Sequence, residues 1–527
     1  MAFVEHPLVR PKAIEARLYQ EAILGRAVNS DLLCVLPTGL GKTPIAIVLA
    51  VHRLEKFPGS KILVMAPTKP LTEQHLASFR RAINLPDEEF VLVTGKTRPE
   101  GRQEFYAKAR LIFATPQTIE NDLRGGRIDL ADFSLLVFDE AHHSIGDYAY
   151  PFIAKAYAGQ AKNRRILGLT ASPGGTKMKI REIMENLGIR EVEIRTERDI
   201  DVEPWVKEKQ VEWLYVTLPE NFLGIREHLH TAYMRRLERL KKIGFTKPVR
   251  LVSKRDLLEL QKKLFASQEK GYMKFFGMSL VSQALKLEHA LGLLETQGIT
   301  SLWNYFRKLS SSKAKSSRSV LKDKDVLKAM KLSEALEAEG RKHPKMAKLC
   351  EIVSGQLHKK PGSKTIVFAN YREMVKEIVK ALACVDGAKP AEFMGQKEGM
   401  TQAEQKQRLQ AFRDGHYNIL VTTSIGEEGM DIPEMELAVF YEPVPSEIRS
   451  IQRRGRVGRT KIGRIIILIA KRTRDEAYYW TAHKKESVMR KTLYELKEES
   501  KLLATPKIFS RAGKKPTKKQ KNLADFD

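Results

Sequence analysis

The chain has 527 residues, 42% of them hydrophobic, which is enough for roughly three domains that each bury a core. Its 92 Lys and Arg against 64 Asp and Glu leave a formal charge of +28, which points to a polyanionic partner, nucleic acid ahead of a membrane surface. Cys34, Cys350 and Cys384 form no C-x-x-C pair, no apolar run approaches about 18 residues, and the N-terminus has no signal-like apolar core, so a zinc site, a disulfide framework, a membrane span and secretion are not expected, and a reducing cytoplasmic compartment is.

From about residue 30 to 200 the pattern repeats strand, turn, helix. The strand-like runs are "DLLCVL", "KILVMAP", "FVLVTG", "RLIFATP", "LLVFDE" and "RILGLTAS". Such alternation predicts a parallel sheet with helices on both faces and ligands beyond the carboxyl ends of its strands. The first run leads into "LLCVLPTGLGKT", residues 32–43. A strand, a Gly-rich turn and a helix in this order form a phosphate cradle from backbone N–H groups and the helix N-terminus. Gly39 and Gly41 let the backbone approach closely, Lys42 reaches the β- and γ-phosphates of ATP, and Thr43 reaches Mg²⁺. Leu36 stands where the strict pattern has Gly, but that position precedes the cradling turn. "LLVFDEAHH" then delivers Asp139 and Glu140 at the end of an apolar strand, Asp139 for Mg²⁺ and Glu140 to orient or activate the attacking water. His142 and His143 have no metal-ligand spacing, so zinc is rejected.

Residues 205 to about 340 read mostly as helix. Leu280, Ala284, Leu287, Leu291 and Leu294 share one helical face, as do Ile299, Leu302, Trp303 and Phe306. This stretch holds 26 Lys and Arg against 15 Asp and Glu, a net +11. Within it "SSSKAKSSRS" (310–319) reads as a flexible basic loop, either a phosphate-contacting segment or a solvated linker. A second alternating block, about 345–470, has the strand candidates "KTIVFAN", "NILVTTS", "LAVFYEP" and "RIIILIA". It carries "QRRGRVGR" (452–459), where Arg456 and Arg459 share a helical face and read either as arginine fingers toward a γ-phosphate or as a nucleic-acid patch. The company of a phosphate loop and an Asp-Glu pair favours fingers, with ATP between the two blocks and hydrolysis closing and opening them. After about 505 the basic tail has no apolar periodicity. The expected units are 1–204, 205–340, 341–504 and 505–527.

The ordered set resembles superfamily 2 helicases: "ARLYQ" the Q motif, "PTGLGKT" motif I, "APTKPL" Ia, "TG" (94–95) Ib, "TPQ" (115–117) Ic, "DEAH" II, "TAS" (170–172) III, "VFANYRE" IV, "TTSIGEEGMDIP" V and "QRRGRVGR" VI. With the helical insert, the match is similar in particular to archaeal Hef and the Fanconi anaemia group M translocase. The resemblance implies an α/β fold of two RecA-like lobes with a helical, thumb-like insert between them. It also implies an ATP-dependent, Mg²⁺-dependent DNA helicase or translocase acting on forks and Holliday junctions. Carried over by position, Arg17, Gln20, Leu36, Pro37, Thr38, Gly39, Leu40, Gly41, Lys42 and Thr43 would hold nucleotide, with Gly429 and Asp431 approaching from the second lobe. Lys42, Asp139, Glu140, Gln452, Arg456 and Arg459 would be catalytic. Thr68, Lys69, Thr94, Gly95, Thr115, Gln117, Asn370 and Thr422 would line the nucleic-acid path, and His142, Thr170 and Ser172 would couple hydrolysis to movement.

Hef continues into a nuclease with an E-R-K signature; no E-R-K occurs here, and no nuclease activity is expected. Gln520, Leu523 and Phe526 are spaced as in the sliding-clamp binding peptide, although Asp527 replaces its second aromatic, and an ordinary tail is the competing reading. Two alternatives stand beside the DNA motor. One is a double-stranded-RNA-dependent ATPase of the Dicer and RNA-sensor type. The other is a non-catalytic binding module, which the intact Lys42, Asp139, Glu140 and Arg459 argue against.

Overall fold

The computed structural model describes residues 2–206, 210–266, 271–394, 400–423, 435–443 and 463–477, then 480, 484, 487–489 and 491–496. Seven strands form the first sheet: β1 Leu32–Val35, β2 Lys61–Met65, β3 Phe90–Val93, β4 Leu111–Ala114, β5 Phe133–Asp139, β6 Ile166–Thr170 and β7 Glu191–Ile194. Their order is β3-β4-β2-β5-β6-β1-β7, every neighbouring pair parallel. The apolar runs of the sequence are strands covered on both faces, so alternate residues enter separate cores. Leu33, Val35, Leu63, Met65, Leu136 and Phe138 pack on one face. Leu32, Cys34, Ile62, Val64, Leu135 and Val137 pack on the other.

Among the described residues the second sheet has six strands: β8 Gln210–Val216, β9 Thr365–Phe368, β10 Pro390–Phe393, β11 Ile419–Thr422, β12 Leu437–Phe440 and β13 Arg464–Ala470. Their order is β10-β11-β9-β12-β13-β8, again parallel throughout. The fold is therefore α/β, two parallel-sheet lobes with a helical domain between them.

Two boundaries differ from the sequence expectation. β8 lies in the range assigned to the insert, yet it pairs with β13 along its whole length and belongs to the second lobe. The helices begin only at Glu220–Lys242 and continue through Lys254–Ala266, Tyr272–Thr296, Ile299–Ser310, Lys315–Leu321 and Lys324–Ala338. At the far end, the helical residues 487–489 and 491–496 return from the second lobe, and Met489, Leu493 and Leu496 join the core on one face of the first sheet. Their i, i+4, i+7 spacing gives that stretch one apolar face to bury.

Inside the insert the periodic residues Leu280, Ala284, Leu287, Leu291, Leu294, Ile299, Leu302 and Phe306 are buried, with Trp303 half-buried. The flexible-loop reading of 310–319 does not hold for 315–321. Residues 315–321 are helical, with Val320 and Ser317 buried. The serines find partners there: Ser282 donates to Ser316 at 3.1 Å and Ser319 to Gln283 at 3.1 Å. Among the described residues no helix is long and apolar enough to cross a membrane.

Buried ions fix the insert to the second lobe. Glu295 accepts from Arg226 at 2.7 Å and from Arg474 Nη1 at 3.2 Å, while Arg474 Nε reaches Glu288 at 3.1 Å. Beside them Lys345 and Asp475 form an ion pair out of contact with solvent. His343 donates from Nε2 to the Glu295 carbonyl at 3.1 Å and accepts the Lys345 backbone N–H on Nδ1 at 3.2 Å.

Burial, with the Lys345 charge beside it, pushes His343 down to about 3. Below its ordinary value near 6.5 the unfolded chain binds a proton here that the folded chain refuses, so this site loses stability as pH falls from about 6.5 toward 3. His343→Asn keeps a cap for the helix Pro344–Lys359 but cannot titrate. Denaturant unfolding at pH 7 and pH 5 should show a smaller loss of stability in the variant than in the parent chain. Equal losses would mean that His343 is not held neutral.

Candidate nucleotide and nucleic-acid site

The phosphate loop joins β1 to the helix Lys42–Lys56. Gly39 (φ 90°) and Gly41 (φ 82°) are both left-handed, the conformation that turns successive N–H groups inward. Leu36 is fully buried and its N–H bonds the Thr170 carbonyl at 3.0 Å, so it anchors the loop to β6 rather than shaping the cradle. Pro37 and Thr38 follow, half-buried, and Leu40 is buried at the turn's far side. Lys42 Nζ donates to the Leu36 carbonyl at 3.3 Å, folded back over its own loop. Thr43 stands in the first helical turn.

The Q-motif segment braces this loop. Gln20 Nε2 lies 3.3 Å from the Leu40 carbonyl and 3.4 Å from that of Gly41, and Tyr19 donates to the Leu40 carbonyl at 2.7 Å. Any Cβ at Gly41 would collide with Gln20 Nε2. Arg17 pairs with Glu15 at 2.8 Å and lies over the Trp205 ring, 4.4 Å from its centroid.

Asp139 ends β5, buried, and accepts from His75 Nε2 at 2.7 Å. Its backbone carbonyl takes the Tyr150 hydroxyl at 2.7 Å. Glu140 adopts a left-handed conformation (φ 49°, ψ 50°), strain of the kind that clusters at functional sites. Burial alone would raise Glu140, but His142 at 3.3 Å and the Lys42 charge hold it well below the usual carboxylate range. From Glu140 the contacts run on: His142 Nδ1 lies 3.1 Å from Thr170 Oγ1, which accepts the Ser172 N–H at 3.1 Å, and Ser172 Oγ reaches Met489 Sδ at 3.3 Å. His142, Thr170 and Ser172 are thus one chain of contacts between Glu140 and the returning helical stretch.

The residues present fit a Mg²⁺–nucleotide. The loop offers left-handed glycines, the Lys42 ammonium bonded to its own backbone, and the Thr43 hydroxyl, with the Asp139 carboxylate at the end of β5. Among the described residues no cluster of three or more His, Cys, Asp or Glu is built to cage a metal. Mg²⁺ held by one hydroxyl, one carboxylate and phosphate oxygens needs no such cage.

The other half of the same sheet edge carries the expected nucleic-acid residues. Thr68 and Lys69 open the helix Lys69–Ala82 after β2, Thr94 and Gly95 follow β3, and Thr115 and Gln117 open the helix Pro116–Arg124 after β4. The Thr68 hydroxyl is buried with no hydrogen-bond partner among the described residues. Gly95 and Gln117 are exposed and Thr94 is buried. The 94–97 turn is held by Arg102, which donates to the Thr97 carbonyl at 2.9 Å and to Asp122 at 2.9 Å.

In the second lobe Asn370 follows β9 and its N–H bonds Glu442 at 3.0 Å. Thr422 ends β11 but is fully buried, its hydroxyl given to the Thr423 carbonyl at 3.1 Å, so it does not face an open path. Gly429, Asp431, Gln452, Arg456, Arg459 and the tail residues Gln520, Leu523 and Phe526 lie outside the described residues. Sequence reasoning passed over Tyr19, His75, Tyr150, Trp205 and Met489. The signal for His75 was available: Thr72, His75, Phe79 and Ala82 form one buried face of their helix.

The family model "DEAD/DEAH box helicase" matches residues 17–180 and "Helicase conserved C-terminal domain" matches 344–461. A third, "Putative ATP-dependent RNA helicase, helical bundle", matches 221–340, the insert. The chain is 43% identical over 495 residues to a protein of Methanocaldococcus jannaschii named "Putative ATP-dependent RNA helicase", covering 93% of this chain and 62% of that one. It is 34% identical to the "ATP-dependent DNA helicase mph1" of Neurospora crassa, covering 88% of this chain and 41% of that one. It thus spans less than two thirds of the length of these curated relatives. The solved Hef helicase domain of Pyrococcus furiosus superposes with a TM-score of 0.72 at 48% identity, covering 90% of this chain and all of that one.

The loop geometry gives a direct test. In Gly41→Ala the left-handed backbone costs about 1–2 kcal/mol and the methyl displaces Gln20. Titration with a fluorescent ATP analogue should show affinity about tenfold weaker, with the melting temperature lowered by only a few degrees. Unchanged affinity would mean that this loop conformation is not the one that holds nucleotide.

Proposed function

The chain belongs to the DEAD/DEAH box helicase family and is therefore an ATP-hydrolysing enzyme, and we propose that it is a Mg²⁺-dependent motor that moves branched DNA, forks and Holliday junctions, in replication-fork repair. The observation that carries the reading is the partition of the first sheet's carboxyl edge. β5, β6 and β1 are consecutive in space and end in Asp139, Thr170 and the phosphate loop; β3, β4 and β2 are consecutive and end at Thr94, Thr115 and Thr68. One edge presents nucleotide chemistry and hydroxyl, amide and ammonium donors for a sugar-phosphate backbone side by side.

In this reading Lys42 binds the β- and γ-phosphates, Thr43 and Asp139 hold Mg²⁺, and Glu140 orients the water. Bound Mg²⁺ neutralises charge on the phosphates. Gln452, Arg456 and Arg459 complete the site from the second lobe, with Gly429 and Asp431 beside the nucleotide. The insert's net +11 suits a phosphate backbone of either kind, and DNA is preferred as the track because the relative of Neurospora crassa is named a DNA helicase. The relative of Methanocaldococcus jannaschii is named an RNA helicase, which keeps double-stranded RNA as the competing track. A DNA track places the chain in the cytoplasm with the nucleoid.

ATP turnover should be measured with a synthetic DNA fork, linear duplex, single-stranded DNA and double-stranded RNA, with Lys42→Ala as the blank. The fork should stimulate most, and Lys42→Ala should fall to background. Its affinity should also fall with salt, log K against log salt sloping by about −0.9 for each phosphate neutralised. Stimulation by double-stranded RNA alone would replace the DNA reading. A salt-independent affinity would remove the basic insert from it.

The spacing of Gln520, Leu523 and Phe526 supports docking to a sliding clamp through an apolar plug. Pull-down by the clamp should be lost in Phe526→Ala; equal recovery of both chains would leave the tail without this role.

A further inference from the structure

Between the two halves of the sheet edge, β2 and β5 are neighbours, and two side chains tie their ends together. Tyr150 donates to the Asp139 carbonyl at 2.7 Å and lies 3.4 Å from that of Met65, the last residue of β2. The second tie involves a side chain of the site itself. His75 Nε2 meets Asp139 Oδ2 at 2.7 Å, both side chains buried. A carboxylate only accepts, so Nε2 carries the proton, and Nδ1 is left buried with no partner among the described residues. Leaving a nitrogen of this kind unpaired costs about 1–3 kcal/mol. The ring is aimed at one oxygen of Asp139, Oδ2.

His75 stands on the helix Lys69–Ala82, seven residues or two turns from Thr68, whose buried hydroxyl has no hydrogen-bond partner among the described residues. The same helix is held from the second lobe: Glu73 pairs with Lys406 at 3.1 Å and with Lys69 at 3.5 Å. Lys69 is therefore neutralised by Glu73 in this structure, and a phosphate at the helix start would compete for it. One rigid helix meets the candidate track at its first turn, the second lobe at Glu73 and the Mg²⁺ carboxylate at His75.

We propose that His75 is a positioning residue through which the occupancy of the nucleic-acid half of the sheet edge sets the orientation of Asp139 toward Mg²⁺. The proposal rests on the reading of the site given above. It assigns the buried His–Asp pair a role of the kind that metal-ligand partners have elsewhere, fixing the ligand's geometry, where their loss weakens metal binding about 10–100-fold. Because coupling between two sites is reciprocal, it is readable from binding alone.

The test uses the full chain as wild type, His75→Ala and His75→Gln, the last keeping an N–H donor near Nε2. The first measurement is Mg²⁺ titration of a bound fluorescent, non-hydrolysable ATP analogue without nucleic acid. His75→Ala should need about tenfold more Mg²⁺, with its affinity for the analogue in EDTA unchanged; His75→Gln should recover most of the difference. The second is the affinity for a DNA fork with and without the Mg²⁺–analogue. The wild type should change affinity by fivefold or more, His75→Ala by less than twofold, and His75→Gln by an intermediate factor. A His75→Ala chain with wild-type Mg²⁺ dependence or wild-type coupling overturns the proposal. So does an equal loss in both variants accompanied by equally lowered melting temperatures, which would mark His75 as packing. Failure of the underlying reading is separate: it would appear in the wild type, as a chain that binds the analogue with Mg²⁺ but not the fork.

Discussion

Parallel strand order is the constraint on which this molecule depends. When every strand of a sheet runs the same way, all carboxyl ends fall on one edge, and each is followed by a loop leading into a helix N-terminus. The first sheet thereby gathers the ends of β1 to β6 on one edge although 104 positions separate Val35 from Asp139. The continuous apolar strands serve the site as well as stability. They are buried on both faces, so the edge they present is rigid, and short polar side chains at strand ends have fixed origins.

The site stores several local costs at once. Glu140 is left-handed without being glycine, and Asp139 and Glu140 place two carboxylates in low-exposure positions. Each cost is offset by a neighbour rather than by solvent: His75 for Asp139, His142 and the Lys42 charge for Glu140. The physical result is that the two acids are fixed in direction before any ligand arrives. Preorganisation of this sort is what makes electrostatic stabilisation effective in a site shielded from water.

How much of this was legible in the sequence follows from burial. Strands covered on both faces read as uninterrupted apolar runs, and β1, β2, β4, β5 and β6 could be found by eye. β7 "EVEI", β8 "QVEWLYV" and β10 "PAEF" were missed, and all three are edge strands of their sheets. In these three edge strands polar residues alternate with apolar ones and the run no longer stands out, whereas the edge strand β3, "FVLV", is apolar throughout and was read. The phosphate loop and the Asp-Glu pair were legible because their chemistry is local: one turn, one strand end. The helical spacing of Thr72, His75, Phe79 and Ala82 marks His75 as buried, but its partner 64 positions away, like that of Met489 317 positions away, was not legible, since no local pattern carries such a distance. The serine-rich stretch failed for a related reason. Its composition is that of a linker, but Val320 and hydroxyl partners on a neighbouring helix give residues 315–321 something to fold against.

The three bodies are joined by two different kinds of contact, and the difference bears on how the motor would work. The insert meets the second lobe through ions of low exposure: Glu288 and Glu295 of the insert are paired with Arg474, beside the buried Lys345–Asp475 pair inside the second lobe, and separating them would expose or orphan charges at a cost of several kcal/mol. The two lobes meet, among the described residues, through a surface pair at Glu73 and Lys406 and through the returning helical stretch, whose Met489 rests on Ser172. Surface ion pairs are worth at most about 1 kcal/mol and are readily exchanged. Insert and second lobe are thus built to move as a unit. The first lobe is held by contacts cheap enough to break in each cycle, apart from the apolar strap at Met489, Leu493 and Leu496. That strap ends beside the TAS segment, at the far end of the contact chain from Glu140, so relative motion of the lobes would be felt first along the residues of that chain.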